Sequence, residues 1–92
     1  RNPFAGARVA NLSPKLADEL RMPAETTGVV VTDVKRGSPA GRVGFRPKDV
    51  VLVINGTEVT STVQLEQLLN DNPGFWRVEI NRDGQRIRQF LR

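Results

Sequence analysis

The sequence predicts a β-dominated α+β domain: a partly open barrel or sandwich of five or six short strands capped by two or three short helices. Three observations carry that expectation. Short runs rich in β-branched and apolar residues recur along the chain, as strands do. Between them stand Ser-Pro pairs and a Ser followed three residues later by Gln, which are helix starts. Asn55-Gly56 and Asp83-Gly84 are tight-turn signals that join neighbouring runs into hairpins. With 92 residues, 38% of them hydrophobic, the chain has material for one core, so residues 1–92 are expected to form a single domain.

The elements follow in order. Ala7 to Asn11 can form a short strand. Ser13-Pro14 then supplies an N-cap and a proline at the first helical position, Leu16 and Leu20 lie one turn apart, and the helix must end before Pro23. Gly28 to Val34 is apolar on both faces for most of its length, which predicts a central strand. Ser38-Pro39 repeats the cap, and Gly44 stops that helix within two turns. Val50 to Ile54 is a second continuous apolar run, and Asn55-Gly56 turns it into a short strand around Glu58 and Val59. Ser61 and Gln64 form a capping box before a helix whose Leu65, Leu68 and Leu69 share one stripe, ended by Asn72-Pro73-Gly74. Trp76, Val78 and Ile80 alternate with polar residues, and Asp83-Gly84 leads into a last strand, Gln85 to Leu91. There Phe90 points away from Ile87 and Leu91 and has no partner in the pattern; it suits a contact with the rest of a larger protein.

Composition narrows the chemistry. The chain has no Cys and no His, which removes disulfides, thiolate chemistry, the usual general base and the commonest zinc ligand. Ser13, Ser38 and Ser61 read as helix caps, not nucleophiles. No catalytic residue, metal site or cofactor is expected. The net charge of +4 invites a nucleic-acid reading. Yet Arg77, Arg82, Arg86, Arg88 and Arg92 are spread over two predicted strands, the pattern of a solvated sheet face, and no set of stacking aromatics accompanies them. Neither a nucleic-acid partner nor membrane insertion is expected, the longest apolar run being far short of the ~20 residues of a spanning helix. The chain opens at Arg1 with neither an initiator Met nor an apolar leader, so it reads as a segment of a longer protein.

The stretch Ser38 to Val59, SPAGRVGFRPKDVVLVINGTEV, resembles the central signature of bacterial PDZ domains: a Ser-Pro-Ala helix start, a Gly-hydrophobic stop, an Asp opening an apolar strand, then Asn-Gly. The resemblance runs over nearly the whole chain, and the early helix from Ser13 to Leu20 is similar to the PDZ domains of HtrA (Do-type) periplasmic serine proteases in particular. It implies a non-catalytic PDZ-like module, suited to the second PDZ position of such a protease, in a periplasmic protein engaged in quality control. One departure is Lys48, where the family usually has Gly before the Asp.

The resemblance also implies a site. Family members carry a hydrophobic-Gly-hydrophobic carboxylate loop just before the peptide-binding strand, and Phe4-Ala5-Gly6-Ala7 stands there, with Ala5 and Ala7 smaller than is usual. A peptide, the C-terminus or an extended segment of a misfolded polypeptide, would lie antiparallel to Ala7 to Asn11, passing Arg8 and Val9. Its carboxylate would accept from the N–H groups of Ala5, Gly6 and Ala7. Its last apolar side chain would enter a pocket of Phe4, Val9 and Leu65 with Leu68 or Leu69. Against this, Gly6 can be an ordinary loop glycine, Phe4 a core residue, and the leucine stripe simply core. The other function implied is assembly, with the domain docking on the protease body or on other subunits of an oligomer.

Overall fold

In the computed structural model, which describes residues 2–71 and 73–92, the chain order is β1 (Ala7–Asn11), α1 (Pro14–Glu19), β2 (Val29–Val34), α2 (Pro39–Val43), β3 (Val50–Ile54), β4 (Thr57–Glu58), α3 (Thr62–Asn70), β5 (Trp76–Arg82) and β6 (Gln85–Leu91). The strands form one antiparallel sheet in the order β1-β2-β3-β5-β6, with the short β4 paired to β3. The sheet does not close, so β1 and β6 are left as edges. This is the β-dominated, partly open fold that the sequence predicts. Asn72, part of the expected stop after α3, lies outside the described residues.

Local chemistry explains the boundaries. Ser13, Ser38 and Ser61 are the three N-caps, each accepting a backbone N–H from three residues on, at 3.1 Å, which satisfies a donor that the first helical turn leaves free. The box at Ser61 closes one residue early: the Gln64 side-chain oxygen accepts from the N–H of Thr60 at 2.6 Å, not from Ser61. Gly44 ends α2 with φ 100°, a conformation open to glycine at little cost.

The core lies between the sheet and the helices. Val29, Val30 and Val31 of β2 are fully buried, as a strand flanked on both sides should be, and Val29 and Val31 share one core cluster with Val51, Ile54, Val78, Ile80, Trp76 and Leu65. Asp49, 1% exposed, is the most deeply buried charge among the described residues. It accepts from the Arg46 N–H at 2.9 Å and from two guanidinium nitrogens of Arg82 at 2.8 and 2.7 Å, and Arg82 also donates to the Gly44 carbonyl. A buried carboxylate is tolerable only with such partners. The hydrogen bond to Asp49 also raises the Arg82 pKa above its ordinary value. Arg82 therefore departs from the expectation of a solvated arginine face; its job is to neutralise Asp49. Arg86 and Arg88 fit that expectation better, as exposed residues flanking Glu79 on the outer face of β5 and β6.

Candidate functional site

Between β1 and α3 runs a groove of about 460 Å³. Its lining comes from the segment before β1 (Asn2, Phe4, Ala5, Gly6), from β1 itself (Ala7, Val9) and from one side of α3 (Thr62, Val63, Leu65, Glu66, Leu69, Asn70). The far end is tied where the Thr62 N–H, one of the free donors of the first turn of α3, reaches the Asn11 side-chain oxygen at 2.9 Å.

The open edge of β1 faces this groove. Lys35 N–H donates to the Gly6 carbonyl at 2.9 Å and Leu12 N–H to the Gly28 carbonyl at 2.8 Å, fixing the phase of the β1-β2 ladder on either side of a bulge at Arg8/Val9. Antiparallel pairing alternates, so the main-chain groups of Arg8 and Ala10 turn toward β2 while those of Val9 and Asn11 turn outward. Those outward groups are what an added strand would pair with.

The end of the groove nearest the N-terminus is built from two successive turns. Asn2-Pro3-Phe4-Ala5 closes with Ala5 N–H on the Asn2 carbonyl at 3.2 Å, and the Asn2 side-chain oxygen accepts from Phe4 N–H at 2.9 Å. Asn before Pro suits both bonds: its short side chain turns back on its own backbone while proline presets the next φ. Phe4-Ala5-Gly6-Ala7 closes with Ala7 N–H on the Phe4 carbonyl at 2.8 Å, with Gly6 at φ 93° in the position that demands a left-handed residue. The Phe4 ring stacks on Phe45 with centroids 4.3 Å apart, and the Ala5 carbonyl takes the Ala40 N–H at 3.0 Å. The loop is thus bolted to α2 and to the end of β2.

Of the residues expected in the site, Phe4, Ala5, Gly6, Ala7, Val9, Leu65 and Leu69 line the groove together. Leu68 does not: both leucines pack against the core, but Leu68 lies about 100° round the helix from Leu69, off the groove side. Arg8 does not either: alternation along β1 puts its side chain on the other face, exposed. The expected triple donor is also corrected. The N–H groups of Ala5 and Ala7 are spent on the two turns, and only that of Gly6 has no acceptor among the described residues. Sequence reasoning missed Asn2, Thr62, Val63, Glu66 and Asn70. The signal was available for most of them, since Thr62, Glu66, Leu69 and Asn70 follow the three-and-four spacing of the same helical stripe. Phe4 is both groove wall and core residue at 5% exposure.

A family model described as "PDZ domain" matches residues 3–88. The chain is a PDZ domain. As such it is a non-catalytic module, and its relatives are HtrA-type serine proteases. It is 36% identical over 69 residues to a "Probable periplasmic serine endoprotease DegP-like" of Chlamydia trachomatis, covering 75% of this chain and 14% of that protein. It is 31% identical over 84 residues to the "Periplasmic serine endoprotease DegP" of Escherichia coli K12, covering 91% of this chain and 16% of that protein. The chain thus spans about a seventh of the length of these relatives. Among solved structures, the "HtrA-type protease AlgW with decapeptide" superposes with a TM-score of 0.81 at 33% identity, covering 98% of this chain and 28% of that one. An "HtrA3 PDZ Domain Bound to a Phage-Derived Ligand (FGRWV)" superposes with a TM-score of 0.76 at 23% identity, covering 94% and 78%, a likeness of fold.

Proposed function

We propose that this PDZ domain binds an extended polypeptide segment in the groove between β1 and α3, as an added antiparallel strand, within an HtrA-like serine protease of the periplasm. The observation that carries this is the open edge of β1, whose outward main-chain groups at Val9 and Asn11 lie beside an apolar floor of Phe4, Val9, Leu65 and Leu69. Main-chain pairing supplies affinity that tolerates many sequences, and the floor selects an apolar side chain. Such tolerance suits segments exposed by misfolded proteins. Burying one apolar side chain contributes about 1.5 to 3 kcal/mol. Ordering the peptide offsets part of it, so the dissociation constant is expected on the order of micromolar or weaker. The peptide-bound state of the AlgW structure, at 33% identity, supports the same reading.

The test is capture of a random decapeptide pool by the immobilised domain, with the pool made once as free acids and once as amides. Retention enriched in apolar residues supports the groove; retention of neither pool overturns it.

A second reading is docking on the protease body or another subunit. It is favoured by Phe90, 69% exposed on the outer strand β6, well away from the groove. Phe90→Ser would then change the oligomeric state of the whole protease and leave peptide capture unchanged.

A further inference from the structure

The site contains its own competitor for a peptide carboxylate. A carboxylate at the end of the groove needs several converging N–H groups, and three successive ones, from Ala5, Gly6 and Ala7, stand at that place. Only the Gly6 N–H is without an internal acceptor among the described residues. The Ala7 N–H closes a turn at 2.8 Å, whereas the Ala5 N–H is held by the Asn2 carbonyl at a long 3.2 Å. Of the two, the Ala5 bond is the weaker and easier to exchange. What keeps the Asn2 carbonyl there is the second bond of the same residue, from Phe4 N–H to its side-chain oxygen at 2.9 Å. Asn2 itself lines the groove.

We infer that Asn2 acts as a built-in stopper of the carboxylate cradle, so that this domain discriminates only weakly between a free C-terminus and an internal or amidated segment. The inference rests on the groove reading above. A terminal carboxylate gains the Gly6 N–H outright, but gains the Ala5 N–H only by displacing the Asn2 carbonyl, so much of the benefit of its charge is lost in exchange. An internal segment, which needs only the β1 edge and the apolar floor, forgoes little. Asn2 is a positioning residue: its carbonyl occupies the Ala5 N–H, and its side chain, through Phe4 N–H, holds that carbonyl in place.

The experiment is the pool capture already described, read as the ratio of acid to amide retained, for wild type, Asn2→Ala and Asn2→Asp. Asn2→Ala removes the side-chain bond to Phe4 N–H and loosens the turn; the ratio is expected to rise about two- to tenfold, the value of one exchangeable hydrogen bond. Amide retention is the reference for that ratio: Asn2 lines the groove, so a change in retention common to both pools cancels. Asn2→Asp keeps the acceptor and sets a negative charge at the mouth, so its ratio is expected to fall below that of wild type. An Asn2→Ala ratio equal to or below wild type, with the amide pool still retained, overturns the stopper and leaves the groove reading standing. A wild-type ratio well above tenfold also overturns it, since the cradle would then be open already. Loss of both pools from all three proteins removes the groove reading and the stopper with it.

Discussion

Gly6 lies directly against Ser38: a Cβ built on Gly6 would run into Ser38 Cβ and Oγ. Ser38 cannot easily give way. It is 8% exposed, its hydroxyl donates to the Lys35 carbonyl at 2.6 Å, and it accepts from Gly41 N–H as the cap of α2. Glycine at position 6 is therefore set by close packing as well as by its φ of 93°. Gly6→Ala should cost about 2 to 5 kcal/mol, adding the left-handed penalty to the overpacking. Urea denaturation measures it. In a double-mutant cycle Ser38→Gly should recover the steric part alone, and no coupling between the two would show that the contact is not made. Larger residues at position 6 thus damage the fold, which makes them poor probes of binding.

Lys48 sits at φ 81°, a left-handed conformation in which an L-residue with a Cβ is strained, and its side chain is exposed with its N–H on the Val31 carbonyl at 2.7 Å. Lys48→Gly keeps that bond and removes the strain of about 1 to 2 kcal/mol. Against this stands the greater freedom of glycine in the unfolded chain, about 0.5 to 1 kcal/mol. The net expectation is a gain of up to about 1.5 kcal/mol, seen as a higher urea midpoint at constant slope. A lower midpoint would mean that the Lys48 side chain makes a contribution outweighing its backbone strain.

These two positions show what was legible in the sequence. Every strand and helix was, because caps at Ser13, Ser38 and Ser61 and turns at Asn55-Gly56 and Asp83-Gly84 are local chemistry. The unusual Lys48 was visible too, though only as a departure. The tertiary uses of residues were less legible. Nothing in the sequence tells that Gly6 meets Ser38 or that Arg82 reaches Asp49, since each pair is joined only by the fold. Within α3, the leucine stripe shows an apolar face but not how it divides between groove and core. The partners of Ala5 and Ala7 N–H were hidden for a different reason: a Gly between two small residues is compatible with an open cradle and with a closed turn alike.

Glu79 provides a pH test. The hydrogen bond from Arg86 at 2.6 Å lowers its pKa from the ordinary carboxylate value; partial burial opposes this, and the charges of Arg86, Arg88 and Arg77 assist it. A carboxylate whose pKa is lower folded than unfolded contributes stability above the unfolded value, and that contribution is lost as pH falls through the folded one. Arg86→Gln should therefore bring the Glu79 pKa up and flatten the acid limb of the stability profile, with a smaller effect for Arg88→Gln, whose contact is longer at 3.5 Å. NMR titration of the Glu79 side-chain carboxyl reads the first and urea melts between pH 3 and about 6 the second. An unchanged titration in Arg86→Gln would show that this ion pair does not persist in solution.

Leu68 and Leu69 are adjacent, chemically identical and both half-buried, yet only Leu69 lines the groove. Both pack against the core, and Leu69 adds a groove-facing surface that Leu68 lacks. Truncating Leu69 to Ala removes apolar surface that a bound side chain would cover, and at about 0.8 kcal/mol per buried methylene a partial loss amounts to roughly tenfold weaker peptide capture. Truncating Leu68 removes surface that only the domain itself covers. Its cost belongs to folding, about 1 to 2 kcal/mol for a half-buried leucine, below the range for full burial. Peptide affinity measured on the folded fraction should then be that of wild type. The pair controls for general effects of weakening α3, because both substitutions remove the same atoms from the same helix one residue apart. If Leu68→Ala impairs capture as much as Leu69→Ala does, the binding surface is not the groove beside β1 but some other face of the helix. If neither impairs it, peptides are held by main-chain pairing at Val9 and Asn11 alone, and the apolar floor of the groove selects nothing.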